Sequence, residues 1–357
     1  MRKCAYCDFA SYSGRDNGDI DKYILALTDE IRSYHREEKI RLDTVYFGGG
    51  TPSLLSPLQL ETILNEVRLT FDVLPDAEIT MEMNPGTVSL VNLAGYRALG
   101  VNRASLGIQS FSENELKKLG RIHSPEDAHA AFSMLRDAGF DNISVDLMYG
   151  IPHQTVDSLT KTLDLVLALN PEHISAYGLI IEEGTPFFDL QNSLPLPDDD
   201  TECDMYYLIS GRLSEEGYIH YEISNYSKPG YSSRHNLKYW RDEEYFGVGV
   251  SAYSYFDGAR FGNTRSLAEY LSGVRCVDRE LVDRKGQMYE YAMMRLRLRE
   301  GISLSEYESL FGVSFISGRE KLIKDYSDLG LLTLLGDRLA FTERGFYVSN
   351  TLLANLL

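Results

Sequence analysis

The chain has 357 residues, 43% hydrophobic and 25% charged, with a net charge of −18 at pH 7. That length suits one large domain with an appendage, and such acidity excludes nucleic-acid binding, which needs clustered Lys and Arg. No apolar run approaches the roughly 20 residues of a membrane span and the start carries no secretory leader, so a cytoplasmic protein is expected.

Chemistry shows first at the beginning, in "MRKCAYCDF". Of four cysteines only Cys4 and Cys7 form a pattern; in a reducing compartment a CxxC pair suggests metal or redox chemistry. Cys203 and Cys276 stand alone in helix-like surroundings and read as small buried thiols. A helix is predicted over 19–38.

From Thr44 to about Ile181, five apolar runs alternate with helical stretches. The runs are "TVYF" (44–47), "EITMEM" (78–83), "NRASLGIQ" (102–109), "ISVDLMYG" (143–150) and "HISAYGLI" (173–180). The helices fall near 56–70, 89–99, 125–138 and 155–169, several opening on Ser, Thr or Pro. This rhythm predicts parallel strands joined by crossover helices, hence an α/β chain built on a full or partial β/α barrel. An open Rossmann sheet fits less well, because no GxGxxG follows the first run.

The rhythm stops after "PFFDLQNSLPLPDDD" (186–200), which places a boundary near Leu196. Three parts are expected: the barrel over 1–195, a Tyr- and Gly-rich linking region over 196–285, and a compact C-terminal unit over 286–357. The last holds two helices and a hairpin around Gly336 and Asp337, an α+β, winged-helix-like pattern. With so acidic a chain, DNA binding is not implied.

Barrel chemistry sits at the C-terminal ends of strands. Each run delivers something there: "GGGTP" (48–52) after the first, Glu82 on the second, Gln109 ending the third, Asp146 within the fourth. Taken singly, "GGGTP" is more often a tight turn, Glu82 reads as a capping or turn residue and Gln109 equally as a satisfied strand-end amide. Asp146 is harder to set aside, since a carboxylate in an apolar strand needs partners. Aligned on one rim, the four point to a ligand site.

"KCAYCDF", "YFGGGTPS", "EMNPGT", "LGIQSF", "LGRIHS" and "VDLMYGIP", in this order, resemble the radical S-adenosylmethionine enzymes. The branch is that of oxygen-independent coproporphyrinogen dehydrogenase and the related heme chaperones, and the resemblance covers essentially the whole chain. It implies a [4Fe-4S] cluster on a CxxxCxxC motif, with Cys4 and Cys7 as its second and third ligands. The first Cys, and a strand before it, would fall ahead of Met1. Their absence is expected to mean a start assigned too far downstream or a genuine truncation, with poor or no cluster assembly. For S-adenosylmethionine, the resemblance puts Tyr6 against the adenine and Gly49, Gly50 and Thr51 at the amino group. It puts Glu82, Gln109, Arg121 and Asp146 at the ribose and carboxylate, although Arg121 also reads as a surface arginine.

Two details favour the chaperone branch. Phe9 stands where the dehydrogenase has a further Cys, and "HNLKYW" (235–240) matches the HNxxYW motif of the chaperones. His235 is then implied as an axial heme ligand, with Tyr239 and Trp240 against the porphyrin; the plain alternative is a core histidine in an aromatic cluster. Heme and acceptor hemoproteins, some of them at the membrane, are the implied partners, and a homodimer is left open. The alternatives are radical decarboxylation of coproporphyrinogen and a cluster-free remnant that only binds S-adenosylmethionine or partners.

Overall fold

The computed structural model describes residues 3–12 and 17–357; the strand and Cys expected ahead of Met1 lie outside them. Helix α1 (Asn17–Ser33) leads into β1 (Arg41–Phe47), α2 (Pro57–Thr70), β2 (Asp72–Met83), α3 (Leu90–Ala98) and β3 (Arg103–Gln109). Then come α4 (Glu113–Leu119), α5 (Pro125–Asp137), β4 (Ile143–Tyr149), α6 (Val156–Leu169) and β5 (His173–Gly178). Capping boxes at Ser56, Ser124 and Thr155 start α2, α5 and α6, each satisfying amides that a helix start leaves open.

Strands β1 to β5 pair in chain order, all parallel, in a curled half-barrel. Their outward residues, among them Met81, Leu106, Val145 and Ile174, bury against Leu60, Leu93, Phe132 and Leu163 of the helices. Strand periodicity sends the alternate residues inward, and there the half-barrel is polar: Thr44, Tyr46, Glu78, Glu82, Arg103, Ser105, Ser144, Asp146, His173 and Ser175. Closed barrels fill this space with branched apolar side chains. Here it is left for chemistry.

Past β5 the sheet continues, through α7 (Pro186–Leu190) and α8 (Asp199–Glu215) to β6 (Ile219–Glu222) and β7 (Asn225–Ser227). Strand β7 pairs antiparallel with β5, giving the order β1-β2-β3-β4-β5-β7-β6. The sheet thus crosses the residue-195 boundary, and does so with strands too short to sustain the βα rhythm. Helix α9 (Arg234–Trp240) follows and lies against β1.

A second sheet, β10-β9-β8, is built from β8 (Tyr253–Phe256), β9 (Ala259–Gly262) and β10 (Asp278–Leu281), with α10 (Leu267–Leu271) between the last two. Buried Glu30 of α1 ties it down, accepting from Gly249 N at 2.9 Å and from Asn263 Nδ2 and Tyr270 OH at 2.5 Å each. Cys276 is exposed, with a left-handed φ of 52°, outside any helix. It corrects the expectation of a buried thiol: the chain turns back toward β10 there, and no helix forms. Cys203 sits half-buried on α8.

The C-terminal unit runs α11 (Arg284–Arg295), β11 (Ile302–Ser303), α12 (Leu304–Phe311), α13 (Glu320–Asp328), β12 (Leu332–Leu335) and β13 (Arg338–Phe341). Its sheet order, β11-β13-β12, with the helices placed so, is a winged-helix arrangement. Tyr307, Phe315, Ile323 and Phe341 fill its own core. Among the described residues no helix is long and apolar enough to cross a membrane.

Candidate functional site

A cavity of about 420 Å³ opens where β1 to β5 end. Cys4, Tyr6, Cys7, Gly49, Gly50, Thr51, Glu82, Gln109, Arg121 and Asp146 all line it. Residues far apart in the chain thus converge as the strand-end rule expects.

The Cys segment crosses the mouth. Ala5 N donates to Leu119 O and Ala5 O accepts from Phe187 N, both at 3.1 Å, clamping it between α4 and α7. Tyr6 packs beside Leu119, Met148, Ile151 and Phe187, and burial raises its phenol pKa. Burial also raises the Cys7 thiol. Gly120 ends α4 in the left-handed region, φ 77°, which suits glycine. A Cβ there would touch Ala5 N at 3.5 Å. The turn sends Arg121 back so that its Nη1 lies 3.5 Å from Cys4 Sγ while Nη2 donates to Gly107 O. Among the described residues no group of three His, Cys, Asp or Glu side chains could hold a metal ion.

Deeper in, Glu82 accepts from Tyr46 OH at 2.9 Å and from Gly49 N at 3.1 Å. Burial raises its pKa to about 7, helped by the charge of Asp146 and opposed by those two hydrogen bonds. Gly48 has no room for a side chain, since a Cβ would sit 2.6 Å from Tyr46 Cε1 and 2.8 Å from Glu82 Oε1. Above Gly49 and Gly50 the space is open. Gln109 ends β3 with a φ of 70°, a strained conformation of the sort found at functional sites. Asp146 is held by Ser105 Oγ, at 3.1 and 3.0 Å, and by Ser144 Oγ at 3.3 Å. Ser144 passes the network to His173 Nδ1 at 2.8 Å, and His173 Nε2 to Tyr221 OH at 2.8 Å. Tyr221 OH accepts from the backbone N–H of Ser233, the N-cap of α9, at 3.2 Å.

His235 stands one layer behind the cavity wall; its neighbour Asn236 lines the cavity. The α9 start is fixed from inside the half-barrel, where Glu78 accepts from the backbone N–H groups of Arg234 and His235 at 3.1 Å each, a favourable place for a carboxylate. The imidazole stacks on Tyr46 and meets Tyr239 edge-on. Thr44 Oγ1 is 2.8 Å from Nδ1 and Tyr239 OH 2.8 Å from Nε2. Burial first, then the positive charges of Lys238 and Arg103, lowers its pKa to about 4, so the ring is neutral near pH 7.

Sequence reasoning passed over Tyr46, Ser105, Arg103, Tyr177 and Asn236, which also line the cavity. The signal was strand parity: Arg103 and Ser105 share the inward face with Gln109, and Tyr46 shares one with Thr44.

The half-barrel with a Cys pair at its mouth is that of a radical S-adenosylmethionine protein, and residues 1–166 match the Radical SAM superfamily model while 282–348 match the HemN C-terminal domain. The chain is 36% identical over 99% of its length to the heme chaperone HemW of Lactococcus lactis, covering 94% of that protein, and 37% identical over the same share to that of Escherichia coli, also covering 94%. It belongs to the HemW family of heme chaperones. The structure of coproporphyrinogen III oxidase (HemN) from Escherichia coli shares the fold, with a TM-score of 0.86 over 99% of this chain and 87% of that one, at 23% identity. Membership of the superfamily implies a [4Fe-4S] cluster and S-adenosylmethionine as cofactors.

Proposed function

We propose that this protein binds heme and hands it to acceptor hemoproteins in the cytoplasm or at a membrane surface, with S-adenosylmethionine held in the cavity beside the heme site. The observation that carries the reading is the docking of the HNxxYW helix α9 inside the half-barrel, where Asn236 lines the same cavity as Cys4 and Cys7. Phe9, Tyr12, Ile122 and Tyr177 line that cavity too and remain exposed, an apolar rim suited to a flat macrocycle. His235 would ligate the iron as neutral imidazole once Tyr239 OH leaves Nε2.

The cavity's own features suit S-adenosylmethionine. Arg121 Nε is buried without a partner, ready for a carboxylate, and the open space over Gly49 and Gly50 admits a ligand to their backbone. Tyr6 would orient the adenine, and Glu82, Gln109 and Asp146 would hold polar groups of the ligand. Cys4 and Cys7 would supply two thiolates to the cluster, which together with S-adenosylmethionine furnishes redox chemistry at this rim. A CxxxCxxC cluster site takes a third thiolate besides these two.

The deciding experiment is an anaerobic heme titration followed by Soret absorbance, on the chain and on His235→Ala. Saturable binding with a shifted Soret band, weakened about tenfold or more by the substitution, is expected. Absence of binding, or binding indifferent to His235, would overturn the reading.

A further inference from the structure

One inward cation of the half-barrel has no carboxylate beside it. Arg103, at the start of β3, is 2% exposed and heads the fully buried side chains by size. Its Nε has no hydrogen-bond partner, and among the described residues no carboxylate lies within ion-pair distance of its guanidinium. Two partly buried arginines, by contrast, hold carboxylate partners, Arg136 with Glu172 at 2.9 Å and Arg260 with Glu290 at 2.7 Å. The charge of Arg103 acts on Tyr46, His173, Tyr221 and His235. A guanidinium cannot shed its proton, and a buried charge without a counter-ion is strongly unfavourable. Yet Arg103 lines the cavity, with Ser175 and Asn236. Its strand carries it some six residues below Gln109, about 20 Å of backbone from the rim.

We propose that the floor of the cavity is a carboxylate-binding subsite, with Arg103 as counter-ion and the Asn236 amide as a second donor. Resting on the heme reading above, the carboxylate it takes is a propionate of heme. The planar fork of arginine matches a carboxylate with two parallel hydrogen bonds. Asn236 follows His235 directly on α9, so a propionate at the floor and an iron at His235 would be held by neighbouring residues. Arg121, beside Cys4 at the rim, is left for the carboxylate of S-adenosylmethionine. Two guanidinium groups at opposite ends of the cavity thus serve two different carboxylates.

The test compares hemin with hemin dimethyl ester, and S-adenosylmethionine with its decarboxylated form, on wild type, Arg103→Met and Arg103→Lys. Arg103→Met should weaken hemin about 10- to 100-fold, the span of a charge-assisted hydrogen bond, and leave the diester unchanged, with Arg103→Lys in between. Ligand-free Arg103→Met should melt no lower than wild type, because it removes an unpaired charge. A penalty on S-adenosylmethionine but not on its decarboxylated form, with hemin unaffected, keeps the subsite and reassigns its occupant. If wild type binds no hemin, the heme reading fails alone, and the S-adenosylmethionine pair decides the subsite. Equal binding of both members of each pair by wild type and Arg103→Met overturns the subsite. So does a ligand-free Arg103→Met that melts well below wild type, which would place a partner for the guanidinium inside the protein.

Discussion

Tyr46 and His235 stack with ring centroids 4.9 Å apart and planes 21° apart, although 189 positions separate them in the chain. The same tyrosine gives its hydroxyl hydrogen to Glu82. One side chain therefore forms both the cavity wall and the backing of the imidazole. Anything that moves Glu82 has a direct mechanical route to His235.

Tyr239→Phe should make His235 a better ligand. Its ring is already neutral, and the obstacle is the Tyr239 hydroxyl 2.8 Å from Nε2. Removing it vacates Nε2 while the edge-on ring contact, at 5.2 Å, stays. Heme affinity by Soret titration should rise by up to about tenfold, the worth of one displaced hydrogen bond. Affinity should also hold level from pH 8 to pH 5, because His235 protonates only near pH 4. A steep loss near pH 6.5 would mean that another imidazole is the ligand.

Glu82 should make binding of S-adenosylmethionine pH-dependent. Its folded pKa, about 7 against an ordinary 4.5, is raised, so its contribution to stability is full below pH 4.5 and lost as pH rises through 7. Glu82→Gln should therefore gain melting temperature relative to wild type between pH 5 and pH 8. Ligand hydroxyls donate best to the ionised carboxylate, so wild-type affinity should strengthen from pH 6 to pH 8, by about fivefold if binding lowers the pKa by one unit. Calorimetric titration at both pH values checks this; a flat profile that Glu82→Gln does not alter would exclude Glu82 from the site.

Two glycines separate steric from positional effects. Gly48→Ala meets the Tyr46 ring and Glu82 at under 3 Å and should cost about 1–3 kcal/mol, as overpacking does. Gly107→Ala meets the flexible ends of Arg121, at 2.9 Å, and Gln109, at 3.0 Å. These can swing aside. The prediction is a denaturation midpoint close to wild type together with weakened S-adenosylmethionine binding. Should Gly107→Ala bind normally, Arg121 and Gln109 do not touch the ligand.

The five parallel strands were legible because each is a short run with apolar residues at alternate positions, set between capped helices. Glu82, Gln109 and Asp146 were legible because strand ends are where barrels carry chemistry. What stayed hidden is long-range or short-lived in sequence. Strand β10 reads "DREL", exposed throughout, and shows no alternation to betray it. The position of His235 depends on Glu78 and Thr44, far upstream, and no local pattern states that pairing. Arg103 lay within a correctly expected strand, but its lack of a counter-ion is visible only once its neighbours in space are known.

Glu343 should anchor the winged-helix unit to the half-barrel. Its carboxylate accepts from Ser210 Oγ of α8 at 2.6 Å and from Arg299 Nη1 at 3.1 Å, and lies 3.3 Å from His220 Nδ1. Burial alone would raise its pKa, but the His220 and Ser210 hydrogen bonds outweigh it and bring the value to about 2. For a lowered carboxyl the stability is present above the unfolded pKa, here 4.5, and is lost as pH falls through the folded one. Glu343→Gln should therefore cost about 1.5–3 kcal/mol near neutrality, as for a hydrogen-bonded charge. The gap to wild type should close between about pH 4.5 and pH 2. Urea unfolding across that range measures it. A gap that stays open at pH 2 would show that Glu343 acts through packing, since its charge would already be gone.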